Sequence, residues 1–111
     1  MKVSDYIKQG LKNKVEEPPP NYQTLGKNKE GVHSIECYAK IENGKIIDAK
    51  YKSSNRCKKL IALADLICEN LKGQSIENIN IDKQKIKDFF KEEKEKNKIE
   101  NRINIILKAL E

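Results

Sequence analysis

At 111 residues, the chain has the length of one domain with a single modest core. Charged residues make up 36% of it, and no apolar run reaches the ~18 residues of a membrane span. The first residues also lack the apolar centre of a secretory signal. We therefore expect a cytoplasmic protein without a membrane partner. The net charge is +6, but lysines are interleaved with glutamates and aromatic residues are sparse, which argues against a nucleic-acid partner.

The first twenty residues predict a helix followed by a stiff connector. Apolar residues recur at helical spacing over residues 3–14. Three prolines at 18–20 then end the helix and favour extended backbone. Residues 21–31 are polar and contain two glycines, which predicts a loop or a weak edge strand. We therefore divide the chain into an N-terminal segment, residues 1–20, and one α+β domain, residues 21–111.

A β-hairpin over about residues 34–52 carries the main sheet signal. Apolar and polar residues alternate along the first strand, as in a half-buried strand. The second strand has its apolar residues at Ile47, Ala49 and Tyr51. A two-residue turn at Asn43-Gly44 would pair Ala39 with Asp48, whereas a three-residue turn would pair Ala39 with Ile47. Because a one-residue slip moves every side chain to the other face, we predict the three-residue turn.

Three helices are predicted after the hairpin. The strongest covers about residues 57–72, with an apolar stripe that ends at Gly73. Asp82 is the expected cap of a second helix, through about residue 95, and a third covers about 99–110. The charged residues 91–98 predict either a solvent-bridging helix or a linker. The expected fold class is therefore α+β, with a small antiparallel sheet built on one hairpin and helices packed mainly on one face.

Cys57 is the first candidate for chemistry. It lies at the predicted start of a helix, next to Arg56, Lys58 and Lys59, where backbone N–H groups and cations favour a reactive or metal-binding sulfur. The alternative is that Cys57 has no chemical function and merely lies at a loop–helix junction. The other two cysteines, Cys37 and Cys68, fall on apolar faces and are expected to pack in the core. The three positions do not form the C-x-x-C clusters of a closed zinc site.

His33 is the only histidine, just before the first strand of the hairpin, and is a weaker candidate ligand. No carboxylate pair, Ser/His/Asp set or phosphate-binding glycine loop can be assembled. We therefore expect that the protein is not an enzyme.

The hairpin, the loop cysteine and the following helix together resemble the NifU amino-terminal (IscU-type) family of iron–sulfur cluster assembly scaffolds. The motif residues are Asn43-Gly44-Lys45-Ile46, then Ile47-Asp48-Ala49-Lys50-Tyr51-Lys52, then Cys57 and Lys72-Gly73. The resemblance covers residues 32–73 and extends more weakly to the C-terminus. It implies the IscU-like fold, a scaffold role, and partners among the proteins of cluster or sulfur transfer, with a homodimer as a further option.

In that family three cysteines, with an aspartate or histidine, hold a nascent cluster. Only Cys57 falls on a ligand cysteine here. The first ligand position falls near residues 31–33, where the related TSCPD domain has a cysteine in place of His33. The third falls at Asn97-Lys98, where neither residue is a good ligand, and the family's proline-rich segment is absent nearby. The resemblance thus implies a metal site of which Cys57 and His33 supply only half the ligands. Its cofactor would be an iron–sulfur cluster, iron or zinc; the alternative is that the protein binds no cofactor.

Two functions follow as hypotheses. The first is a divergent scaffold-like carrier or accessory of cluster or sulfur-cofactor assembly, with Cys57 accepting sulfur or, with His33, ligating a metal. The second is a docking module without metal chemistry, in which a basic patch binds an acidic protein or a phosphate-bearing ligand. That patch consists of Lys50, Lys52, Arg56, Lys58 and Lys59.

Overall fold

The computed structural model describes residues 1–111 and contains three strands and four helices. The strands are β1 (Gln23–Glu30), β2 (His33–Glu42) and β3 (Lys45–Ser53). The helices are α1 (Val3–Lys8), α2 (Lys58–Leu71), α3 (Lys83–Phe89) and α4 (Lys96–Ala109). The strands form one antiparallel sheet in the order β1-β2-β3. The predicted α+β class is confirmed, and residues 21–31, predicted as a loop or weak edge strand, contain the edge strand β1.

The β2–β3 hairpin has the two-residue turn that was not chosen, and beyond a bulge its register differs from both alternatives. Asn43 and Gly44 have φ of 51° and 75°, as in a two-residue type I′ turn, and Glu42 pairs with Lys45. One irregularity between Lys40 and Ile41 then shifts the pairing, so that Ala39 faces Ala49. The predicted three-residue turn is therefore wrong, although the odd-numbered side chains of β2 do face the core.

The bulge also changes which isoleucine of β3 is buried. Ile46 is fully buried, whereas Ile47, which was predicted on the inner face, is 43% exposed. The bulge gives β3 one residue more than β2 has opposite it, and Ile47 is the residue left outside the pairing. Ala49 and Tyr51 lie on the inner face as predicted.

The free edge of β3 is covered by two other segments of the chain. Val15 donates its backbone N–H to Tyr51 at 2.8 Å, and Tyr51 donates to Asn13 at 2.9 Å. Further along, Ile46 donates to Gln74 at 2.9 Å and accepts from Gly73 at 2.7 Å. Pairing of this kind protects an edge strand from pairing with other chains.

The core lies between one face of the sheet and helices α2 and α4. Inner residues of β2 and β3 share one apolar cluster with Leu60, Leu63 and Ile67 of α2 and with Ile103 and Ile106 of α4. The helices therefore pack mainly on one face, as predicted. None of the four helices has the length and apolarity that crossing a membrane requires.

The ends of the helices explain the remaining differences from the sequence patterns. The first helix ends at Lys8 and not near residue 14, because the backbone turns at Gly10, which has a φ of +107°. Asp82 caps α3 as predicted, accepting the Lys85 N–H at 3.1 Å, but α3 ends at Phe89. Residues 91–95 are not helical, and α4 begins at Lys96.

Candidate functional site

Cys57 is the N-cap of α2, at the place where the sequence predicted that the helix begins. Its backbone is extended (φ −108°, ψ 103°), and its Sγ accepts the backbone N–H of Leu60 at 3.5 Å. The thiol is half-buried, so it reaches the surface while remaining in contact with the helix terminus. The unpaired N–H groups and the dipole of a helix N-terminus favour negative charge at this place.

Arg102, which the sequence did not single out, binds the same sulfur. Its Nε donates a hydrogen bond to Cys57 Sγ at 3.3 Å, and its Nη1 donates to the Asn101 side-chain oxygen at 2.8 Å. Arg102 lies on α4, and the packing of α4 beside α2 brings the two residues together. Nothing in the local pattern indicates this contact, because 45 positions separate the two residues.

His33, the second predicted ligand, lies at the start of β2 and is half-buried. Burial and, next, the positive charge of Arg102 lower the pKa of His33, against a smaller opposite effect of Glu30. Its Nδ1 is buried and has no hydrogen-bond partner. Arg102 therefore acts electrostatically on His33 and directly on Cys57.

The residues around Cys57 do not fit a complete metal or cluster site. No group of three or more His, Cys, Asp or Glu side chains lies close enough to hold a metal ion. A structural zinc site needs four ligands and a cluster needs several thiolates, whereas the pocket at Cys57 has one thiol, one carboxylate and a guanidinium on the sulfur, and His33 does not line it. The positions at Asn97 and Lys98 lie in the first turn of α4 and supply no ligand.

A shallow pocket of about 360 Å³ opens beside Cys57, and its lining is strongly cationic. The charged lining residues are Lys2, Arg56, Lys58, Lys59, Lys98, Arg102 and the single carboxylate Glu93. Lys59 lies 3.8 Å from Glu93 and 3.6 Å from Glu95, and Lys98 lies 2.7 Å from Glu95. The remaining excess of positive charge favours anionic groups near the thiol.

The predicted basic patch is divided between two places. Arg56, Lys58 and Lys59 line the Cys57 pocket. Lys50 and Lys52 lie in β3 and do not line it; the Lys50 ammonium contacts Asp48 at 3.5 Å and the Lys12 carbonyl at 3.2 Å, and Lys52 lies 3.9 Å from Glu36. The chain therefore does not present the five cations as one surface around Cys57.

Cys37 and Cys68 belong to the core, where the sequence placed them. Each is only 1% exposed, and burial raises the pKa of Cys37 to about 12 and that of Cys68 well above its ordinary value. A buried thiol of this kind does not react readily. Cys57 is the one thiol of this chain that is placed for chemistry.

Comparison with known proteins supports the family resemblance that was drawn from the motif residues. The family model of the NifU-like N-terminal domain matches residues 9–109. Among solved structures, the chain is similar to a protein described as an iron–sulfur cluster assembly scaffold for the SUF system, from the thermophile Fervidobacterium islandicum AW-1. The TM-score is 0.62 at 17% identity, over 98% of this chain and 93% of that one, a likeness of fold alone. Among curated proteins, none matches the sequence significantly. Because the family model spans nearly the whole chain, the protein belongs to the NifU-like N-terminal domain family.

Proposed function

We propose that this protein is an accessory sulfur carrier of iron–sulfur cluster assembly, and that Cys57 carries the sulfur. The observation that supports it most directly is the contact of Cys57 Sγ with the Arg102 guanidinium at 3.3 Å. A cation beside the sulfur suits an anionic sulfur group better than a metal ion. The family supports a place in iron–sulfur cluster assembly, a process that needs a supply of sulfur.

The proposed step is the transfer of one sulfane sulfur between thiols. The Cys57 thiolate attacks the outer sulfur of a donor persulfide, the sulfur–sulfur bond of the donor breaks, and the donor leaves as a thiolate. Cys57 then holds a persulfide, and no external oxidant or reductant is consumed. The negative charge of that group would lie beside Arg102 and the N-terminus of α2, both of which stabilise it. The reducing cytosol would keep the thiol available.

A specific observation favours a second function of the Cys57 pocket, the docking of an acidic partner protein. Arg56 and Lys58 line the pocket, and neither has a carboxylate within ion-pair distance in this chain. They are free to contact acidic side chains of a protein that donates or accepts the sulfur. Binding of this kind would weaken steeply with salt, because it rests on exposed charges.

The test is to treat the anaerobically purified protein with glutathione persulfide and to measure its intact mass. We expect one added sulfur atom in the wild type and none in Cys57→Ser. Cys68→Ala is the matched control and should still gain one sulfur atom, because Cys68 is buried. Iodoacetamide should likewise alkylate one thiol of the native wild type and none of Cys57→Ser.

Metal and acid-labile sulfide are measured on the same samples. Iron with sulfide near one cluster per chain, lost in Cys57→Ser, would overturn the carrier proposal and support a scaffold that holds its own cluster. Equal gain of sulfur by the wild type and Cys57→Ser would also overturn it, because the sulfur would then reside elsewhere.

A further inference from the structure

We infer that Arg102 is the specificity-determining residue of the Cys57 site: its guanidinium favours sulfur transfer by the thiol and keeps divalent metal ions from binding to Cys57. The inference rests on the proposed function, and it adds the residue that makes Cys57 bind sulfur in preference to a divalent metal ion. A thiol is a ligand that metal ions use in proteins, and Arg102 is the side chain that lies against this one.

Arg102 differs from the other cations of the pocket by its hydrogen bond to the sulfur, and unlike Lys59 and Lys98 it has no carboxylate partner. Lys59 and Lys98 each have a glutamate within 4 Å, so part of their charge is neutralised within the chain. Arg102 has no carboxylate within that distance, and its side-chain partners are the Cys57 sulfur and the Asn101 amide. Its full positive charge therefore lies against the sulfur.

A metal ion and a persulfide respond to this arrangement in opposite ways. A divalent ion bound to Cys57 Sγ would stand within a few ångströms of the guanidinium, and like charges at that distance repel strongly. Arg102 also occupies one acceptor direction of the sulfur with its N–H group. A terminal persulfide sulfur, in contrast, is an anion and gains a charge-assisted hydrogen bond from the same group.

The test compares Co²⁺ binding by the wild type, Arg102→Met, Arg102→Gln and Arg102→Lys, followed by the sulfur-to-cobalt charge-transfer absorption. We expect both neutral variants to bind Co²⁺ about tenfold or more tightly than the wild type, and Arg102→Lys to stay close to the wild type. The gain should vanish when Cys57→Ser is added. Arg56→Met removes a cation from the same pocket without touching the sulfur, and is the matched control.

The inference is overturned if the wild type binds Co²⁺ as tightly as both neutral variants do. It is also overturned if Arg56→Met raises the affinity as much as Arg102→Met, because the effect would then belong to the net charge of the pocket. Two neutral variants are used so that one poorly folded protein does not decide the result, and thermal unfolding is recorded for each.

The rate of sulfur uptake from glutathione persulfide separates this inference from the proposed function. We expect Arg102→Met to be slower than the wild type and Arg102→Lys to retain most of the rate. A wild type that takes up no sulfur contradicts the carrier function, while the Co²⁺ comparison still decides the role of Arg102. Normal sulfur uptake with unchanged Co²⁺ binding in both neutral variants contradicts the role of Arg102 alone.

Discussion

At the scale of single residues, the surroundings of a side chain decide its chemistry more than its type does. The three cysteines have the same functional group, yet two lie in the core and one lies at a helix terminus beside a guanidinium. His33 shows the same effect, because burial and Arg102 both oppose its protonation. The residue that connects these observations, Arg102, has no sequence signal of its own.

The stability of the protein should depend on pH through His33. Because the pKa of His33 is lowered in the folded chain, the unfolded chain binds a proton at pH values where folded His33 is still neutral. The free energy of unfolding should therefore rise with pH as the ordinary histidine value, about 6.5, is approached from below. In His33→Gln, the increase of the unfolding free energy with pH should be smaller over this range.

Urea unfolding at steps of pH between about 5 and 7 measures this slope. The carboxyl groups whose pKa is lowered, such as Glu95 and Asp48, contribute equally to the slopes of the wild type and His33→Gln and cancel in the comparison. An equal slope in the wild type and His33→Gln would contradict the prediction.

At the scale of elements, close approach of backbones shapes the sheet as much as hydrophobic pattern does. The alternation predicts which side chains of β2 face the core, but it misplaces Ile47 of β3 and does not determine the offset between the strands, which the turn and the bulge at Ile47 set together. The edge strand β1 has a second irregularity, between Thr24 and Gly26. There Gly26 lies directly against the carbonyl oxygen of Ala109, at the end of α4.

Gly26→Ala should destabilise the protein by about 1–3 kcal/mol, the range for a side chain forced into a filled space. An added Cβ would fall far inside contact distance of the Ala109 carbonyl, a backbone atom that moves only if α4 moves. Lys27→Ala, at the next and exposed position of β1, is the control and should change the stability by about 0.5 kcal/mol or less. Chemical denaturation decides the matter, and equal stability of the two variants would contradict the prediction.

At the scale of the whole molecule, a buried carboxylate joins the N-terminal segment to the rest of the chain. Asp65 of α2 is fully buried, and its two oxygens accept from Tyr6 Oη at 2.8 Å and from the Asn13 backbone N–H at 3.0 Å. The Asn13 side-chain amide donates in turn to the Asp65 backbone carbonyl at 3.1 Å. These bonds hold residues 1–15 against α2, and place Asn13 where it pairs with Tyr51 of β3.

Asp65→Asn should cost about 1–3 kcal/mol of unfolding free energy, because an amide has one oxygen and leaves one of the two donors without an acceptor. Tyr6→Phe removes one donor, so the double variant should lose less than the sum of the two single losses, with a coupling of about 0.5–3 kcal/mol. Asp5→Asn, an exposed change on α1, is the control for the loss of a negative charge. Additive losses in the double-mutant cycle would contradict the proposed network.

By itself, the sequence determined the properties that short stretches encode: the α+β class, the hairpin with its inward face, the helix that begins at Cys57, the Asp82 cap and the family motif. These follow from periodicity and capping, which depend on neighbours a few residues apart. Only the tertiary structure decided the strand offset, the division of the basic patch, the Asp65 network and the contact of Arg102 with Cys57. Each of these joins residues that are distant in the chain or depends on how whole elements pack, and a local pattern has no means to specify which side chains then meet.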